Sequence, residues 1–148
     1  MSVLDIHVLG APILRQETEP VAEMTPELRR LVLVNPEIVL AEGSARGEEG
    51  CLSIPEIYGD VDRAARVVMR GLDREGRAIE VEATELLARC MQHELDHLNG
   101  KLFLDYLGLF KRRAAMQKWE REKAKYPSLR RALITAKELA EQHNEEAL

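Results

Sequence analysis

The sequence predicts an α+β fold in which short antiparallel strands pack around one central helix and further helices follow at the C-terminus. Three observations predict it. Strand-like segments fill the first half of the chain, a strongly periodic helical segment follows at 84–98, and Lys/Arg/Glu-rich helical segments complete the sequence. Because the strands precede the helices rather than alternate with them, α+β is favoured over a parallel α/β fold.

The N-terminal part predicts two strands and the start of a helix. Residues 3–9 (VLDIHVL) alternate as a strand does, and a Gly-Ala-Pro turn follows. Residues 25–32 (TPELRRLV) predict a helix with Thr25 as N-cap and Pro26 at the first helical position. This helix runs without turn residues into LVNPEIVLAEG, which predicts a strand from residue 33. A helix that passes into a strand with no turn residues is unusual.

The middle of the chain predicts a loop, a hairpin and a helix. SARGEEG (44–50) is typical of a turn-rich loop, and RVVMRGLD and AIEVEA are strand-like segments joined by a REGR turn. Thr84 then caps a helix that Asn99-Gly100 ends. We expect its apolar stripe to face the core. The residues of the stripe are Leu86, Leu87, Cys90, Met91, Leu95 and Leu98.

The C-terminal part predicts two helices, separated at Tyr126-Pro127-Ser128. The second carries a stripe that includes Leu129, Leu133 and Leu139. We divide the chain into a catalytic domain at 1–110 and a C-terminal helical extension at 111–148.

Composition limits the class of protein. The 148 residues are 45% hydrophobic, which suffices for one domain with a core. Two cysteines and no apolar leader predict a cytoplasmic protein, and no apolar run is long enough to span a bilayer. Residues 111–131 carry nine Lys/Arg against Glu120 and Glu122, whereas the net charge of the chain is −5. This basic stretch is a solvated helix face or a local contact for a polyanion.

The segment HELDH predicts a metal site on the central helix. His93 and His97 are four residues apart, so both imidazoles lie on one helix face, and Glu94 stands beside them to handle a proton. The alternative is a pair of surface histidines. Two ligands hold an ion poorly, and the sequence offers several candidates for the third. These are Cys90, Cys51, Glu120 and Glu122.

Two motifs resemble those of the peptide deformylase family. These are EEGCLSIPE (48–56) and QHELDHLNG (92–100), and LVNPEI and GKLFLDYL also resemble that family in the same order. The resemblance implies that Cys51, His93 and His97 hold one metal ion with water in the fourth position. It further implies ferrous iron, with zinc, nickel or cobalt as substitutes.

The resemblance also implies a reaction, the hydrolysis of the N-formyl group from the initiator methionine of nascent polypeptides. Glu94 would take the proton of the attacking water and pass it to the departing amine. The backbone N–H of Leu52 and a glutamine side chain would stabilise the oxyanion.

That glutamine belongs to a G-x-G-x-A-A-x-Q motif which this chain lacks. Several dozen residues of the family pattern are absent at the helix-to-strand junction before residue 33. The only glutamines are Gln16, Gln92, Gln117 and Gln142, and none follows such a motif. Loss of one oxyanion donor costs roughly 10²–10³ in rate. The sequence therefore predicts a deformylase whose activity is impaired by the missing segment.

Two other functions are compatible with the residues. The first is an inactive metal-binding relative whose basic helix 111–131 binds the ribosome surface or a protein partner, with no specific DNA recognition. The second is a zinc metallopeptidase in which Glu120 or Glu122 completes the site.

Overall fold

The computed structural model describes residues 5–20 and 33–132. The expected helix at 25–32 and most of the expected last helix lie outside these residues. The strands are β1 (Asp5–His7), β2 (Val34–Glu42), β3 (Ala45–Cys51), β4 (Ile54–Arg63), β5 (Arg66–Leu72), β6 (Ala78–Thr84) and β7 (Arg130–Ala132). The helices are α1 (Glu85–Leu98) and α2 (Leu109–Glu122), and short 3-10 turns cover Pro12–Arg15, Phe103–Tyr106, Lys123–Lys125 and Pro127–Leu129.

The largest sheet has the antiparallel order β2-β5-β6. Its β5–β6 hairpin is the one predicted from the REGR turn. The carboxylate of Asp73 accepts hydrogen bonds from the backbone N–H groups of Glu75 and Arg77, both at 2.9 Å, and Gly76 takes the left-handed conformation that the turn needs (φ 80°). The turn therefore holds the register of both strands.

Strands β3 and β4 pair as an antiparallel hairpin that carries one side of the site described below. The expectation of a loop at 44–50 is wrong, because all but the first of these residues belong to β3. The glycines that suggested a loop have another role. A Cβ at Gly47 would meet the guanidinium of Arg89, and a Cβ at Gly50 would lie 2.8 Å from the ring of Tyr58. They make room for side chains in a strand.

Helix α1 begins after Thr84 and ends before Asn99, as predicted, although the Thr84 side chain makes no capping hydrogen bond. Gly100 follows with φ 66°, the left-handed conformation that ends many helices. Helix α1 follows β6 with no residue between them, and it packs against the large sheet.

The orientation of α1 differs from the expected one. Leu86 and Leu87 are 72% and 55% exposed, and Cys90 is exposed, so the first part of the apolar stripe does not face the core, whereas Met91 packs against it. The buried residues are Ala88 and Asp96. A small side chain at position 88 allows the helix to pack against Val67 and Ala83 of the sheet. The hydrogen bonds that Asp96 accepts from Arg63 and Tyr106 offset the cost of burying its carboxylate.

The main core lies between the β3–β4 hairpin and α2. Ala115 and Trp119 of α2 are buried in it, and Trp119 stacks on Tyr126 with ring centroids 5.9 Å apart. Its other buried members are Val8, Leu9, Ile54, Ile57, Val61, Leu102, Phe103, Leu104 and Leu107. Helix α2 therefore packs on the same core as the strands, and the division at residue 110 stays a prediction.

The chain after α2 also differs from the expected helix. Residues 130–132 form β7, which pairs antiparallel with β1. Ser128 and Leu129 have φ values of 59° and 52°, which a helix does not allow. Within the described residues, no helix has the length and apolarity needed to cross a membrane.

Candidate metal centre

Three side chains meet where the β3–β4 hairpin touches α1. Cys51 is the last residue of β3, and His93 and His97 lie one turn apart on α1. One ligand atom from each residue lies within 4.8 Å of the others, and Cys51 Sγ is 3.3 Å from His97 Nε2. Within residues 5–20 and 33–132, no other group of His, Cys, Asp or Glu is arranged in this way.

Each imidazole is held through its Nδ1 atom. His93 Nδ1 lies 3.1 Å from Glu49 Oε2, and His97 Nδ1 lies 3.3 Å from the backbone carbonyl oxygen of Lys101. In the neutral imidazole that binds a metal, a proton on Nδ1 that is donated to an oxygen leaves Nε2 as the free base. Both rings are therefore prepared to present Nε2 to an ion beside the thiol of Cys51.

Behind His93 lies a buried ionic network. Arg63 donates to both carboxylate oxygens of Glu49, each at 2.9 Å, and to Asp96 at 2.6 Å. The side chains of Arg63 and Glu49 are each only 4% exposed. The hydroxyl of Tyr106 donates to Asp96 at 2.7 Å. Since each buried charge has a partner, the network can hold its geometry without solvent.

The electrostatics of the site favour a thiolate. Burial by itself would raise the pKa of the Cys51 thiol, but hydrogen bonds with His93 and His97 lower it to about 6. The hydrogen bond with Cys51, followed by the one with Glu49, raises the pKa of His93 to about 10. Burial opposes ionisation of Glu49, yet His93, Arg63 and Arg89 together hold its pKa far below the usual range.

This donor set fits a transition-metal ion. A thiolate and two imidazoles are the ligands that Zn²⁺ and Fe²⁺ take in proteins, and three protein ligands leave a position open for chemistry. The carboxylate that orients His93 is a partner commonly found behind such a ligand.

A cleft of about 490 Å³ opens beside the three ligands. Leu52, which is 61% exposed, and Glu94, which is also exposed, both line it. Leu86 and Cys90 form an apolar part of its wall. Cys90 is thus a wall residue of the cleft rather than the core cysteine that the sequence predicted.

Other residues named from the sequence lie elsewhere. Glu120 pairs with Lys123, and Glu122 pairs with Lys125 at 2.5 Å, so neither joins the ligand cluster. The Asp96 side chain accepts hydrogen bonds from Arg63 and Tyr106 rather than from a ligand histidine.

None of the three glutamines that the structure describes lines the cleft. The Gln92 amide binds the backbone N–H and carbonyl groups of Ala64, each at 3.0 Å. Gln16 and Gln117 are exposed and do not line the cleft, and Gln142 lies outside the described residues.

Sequence reasoning missed the residues behind His93, namely Glu49, Arg63 and Arg89. One signal was available for Glu49. It precedes Cys51 by two residues, and side chains two apart in a strand point to the same face. The arginines gave no local signal, because their partners are distant in sequence.

Comparison with known proteins identifies relatives along most of the chain. The model of the family described as "Polypeptide deformylase" matches residues 23–113. The peptide deformylases of Hydrogenovibrio crunogenus and Alkalilimnicola ehrlichii are each 41% identical, over 84% and 82% of this chain and 97% and 91% of theirs. A crystal structure of a peptide deformylase from Legionella pneumophila superposes with a TM-score of 0.76 at 32% identity, covering 83% of this chain and 96% of that one.

The first of these alignments contains positions that this chain does not fill. It extends over 164 positions but covers 84% of 148 residues, which is about 124, so roughly 40 positions have no residue in this chain. The absence of one continuous segment before residue 33 stays a prediction.

Proposed function

This chain belongs to the polypeptide deformylase family, and from that premise we propose that it hydrolyses the N-formyl group of the initiator methionine on nascent polypeptides. The observation that carries the proposal is the meeting of Cys51, His93 and His97 beside an open cleft. This reaction is a step of protein biosynthesis, and we assign the protein to the cytoplasm on that ground.

We assign Cys51, His93 and His97 as ligands of one ion. Ferrous iron is the ion we propose, with zinc, nickel or cobalt as substitutes, since a mixed thiolate and imidazole set accepts all of them. When bound, the ion supplies Lewis-acid activation of the water and of the formyl carbonyl.

Glu94 is the proposed general base and acid. Its carboxylate takes a proton as the water oxygen bonds to the formyl carbon, and returns that proton to the methionine nitrogen as the carbon–nitrogen bond breaks. The products are formate and a free amino terminus. The position of Glu94 in the wall of the cleft, beside His93, supports this role.

Two further contacts complete the proposed site. The backbone N–H of Leu52 donates to the carbonyl oxygen as negative charge develops on it. Leu86 and Cys90 offer an apolar surface to the methionine side chain.

The experiment measures formate release from formyl-Met-Ala-Ser by anaerobically purified protein with one metal ion per chain. We expect release that the Glu94→Ala variant, at the same metal content, reduces by at least ~10²-fold, the usual contribution of a general base. Equal release by the two proteins would refute the proposal. Cleavage of the unformylated peptide would instead favour the metallopeptidase.

We also propose that the basic stretch 111–131 contacts the ribosome surface. Arg113 and Arg121 on α2 are exposed, and Leu109 and Phe110 at the start of that helix are 78% and 86% exposed. Co-sedimentation with ribosomes tests this. We expect Arg113→Glu/Arg121→Glu to reduce binding, whereas binding equal to that of the wild-type protein would contradict the proposal.

A further inference from the structure

Arg89 forms an unusual junction between α1 and the β3–β4 hairpin. Its Nη1 atom donates to Glu49 Oε1 at 2.7 Å and to the backbone carbonyl of Val61 at 2.9 Å. Its Nη2 atom donates to the carbonyl of Ala45 at 2.6 Å. The side chain is 12% exposed, so these contacts are made largely out of water.

Gly47 provides the space for this guanidinium. A Cβ at Gly47 would lie 3.0 Å from Nη2, 3.1 Å from Cζ and 3.2 Å from Nε of Arg89. The backbone at Gly47 does not have the positive φ that would itself favour glycine. A side chain at position 47 would therefore have to displace the Arg89 guanidinium.

Arg89 is linked to the metal ligands through Glu49, which contacts both Arg89 and His93. Arg63 bonds both carboxylate oxygens of Glu49, and Arg89 adds a second donor to Oε1 alone. Oε2 is the oxygen that contacts His93 Nδ1. With Oε1 held by two arginines, rotation of the carboxylate away from His93 would break contacts with both.

We propose that Arg89, admitted by Gly47, is a positioning residue that acts through Glu49 to hold His93 in its metal-binding orientation. It thereby slows the loss of metal from the site. The inference rests on the proposed function only in that Cys51, His93 and His97 hold an ion. It concerns retention of the ion, which is measured without substrate.

A purely structural role makes a different prediction. Arg89 would then fasten α1 to the hairpin through the two carbonyl groups, and its removal would lower stability independently of Glu49. A double-mutant cycle separates the two roles, because residues that act through one another give non-additive effects.

The experiment follows the transfer of zinc from the loaded protein to a chromophoric chelator. Removal of a group that orients a metal ligand commonly costs 10–100-fold in affinity. We expect Arg89→Met and Glu49→Gln each to release zinc about 10-fold faster, and the double variant no faster than Glu49→Gln alone. Arg66→Met is the control, since Arg66 pairs with Glu42 and Glu82 on the sheet surface. Wild-type release by Arg89→Met, or rates that multiply in the double variant, would overturn the proposal.

A second pair of variants tests the same inference with Arg89 retained. Gly47→Ala must displace the guanidinium by a few tenths of an ångström, whereas Gly108→Ala meets nothing within 4 Å. We expect faster zinc release and an altered cobalt absorption spectrum for Gly47→Ala only. Thermal unfolding of each variant identifies loss of the fold. Unchanged release and spectrum for a folded Gly47→Ala would count against the proposal, whatever the deformylase assay shows.

Discussion

Cys51 Sγ lies 3.3 Å from Nε2 of His97, although 46 positions of sequence separate the two residues. One belongs to the end of a hairpin and the other to the last turn of a helix. The ligand set therefore exists only when the hairpin and the helix are packed together. Metal content is for this reason a test of both the site and the fold.

The first prediction concerns the choice of cysteine. We expect Cys51→Ala to lose most of its bound metal, because two imidazoles alone hold an ion weakly. Cys90→Ala is expected to retain about one ion per chain, since Cys90 belongs to the cleft wall rather than to the ligand cluster. Elemental analysis of both purified variants provides the measurement, and the reverse result would exclude our ligand set.

The second prediction concerns pH in the metal-free protein. The folded pKa of Cys51, about 6, lies below the ordinary value of 9.0, so the thiolate forms at lower pH than in the unfolded chain. Because only the thiolate reacts, alkylation of Cys51 by iodoacetamide should increase through about pH 6 and then level off. Mass spectrometry of peptides sampled over time gives the rate. A midpoint near pH 9 in folded protein would contradict the expectation, and a urea-unfolded sample is the control.

The third prediction concerns the buried arginine. Arg63→Met leaves the carboxylates of Glu49 and Asp96 without their main buried partner, which typically costs about 3–5 kcal/mol of unfolding free energy. Arg70→Met removes only an exposed pair with Glu80, worth about 0–1 kcal/mol. Urea unfolding monitored by circular dichroism compares them. Similar losses in both variants would show that the buried network does not stabilise the fold as argued.

The fourth prediction concerns the missing segment. Insertion between Val32 and Leu33 of a segment that carries the G-x-G-x-A-A-x-Q motif should supply the glutamine donor. We expect kcat/KM for formyl-Met-Ala-Ser to rise by about 10²-fold, the lower end of the value of one oxyanion donor.

The control for that chimera is the same insertion with its motif glutamine replaced by alanine. It should fold as well as the first chimera and gain much less activity. If both chimeras gain equally, the segment acts through the shape of the cleft and not through the donor.

The sequence predicted well where local chemistry decides the structure. The end of α1 follows from Asn99-Gly100, and the β5–β6 hairpin follows from a turn in which Asp73 and Gly76 act locally. The fold class and the ligand motifs were also accessible, because the motifs are contiguous.

Prediction failed where a distant partner decides the structure. Gly47 and Gly50 suggested a loop, yet they stand in a strand because side chains from elsewhere occupy their Cβ positions. Residues 130–132 suggested a helix, yet they pair with a strand from the other end of the chain. Leu87 is exposed and Asp96 is buried against Arg63, an arrangement that no periodicity reveals.

The placement of Cys51 on the hairpin and His93 on α1 has a consequence for unfolding. An ion that joins them closes a loop of 42 residues, counted from one ligand to the other. The entropy cost of closing a loop grows with the logarithm of its length. An unfolded chain that still held the ion would pay this cost, and it would remain constrained until the ion departs. A bound ion would thus act as a reversible crosslink, and we expect a strong chelator to shorten the lifetime of the folded, metal-loaded protein.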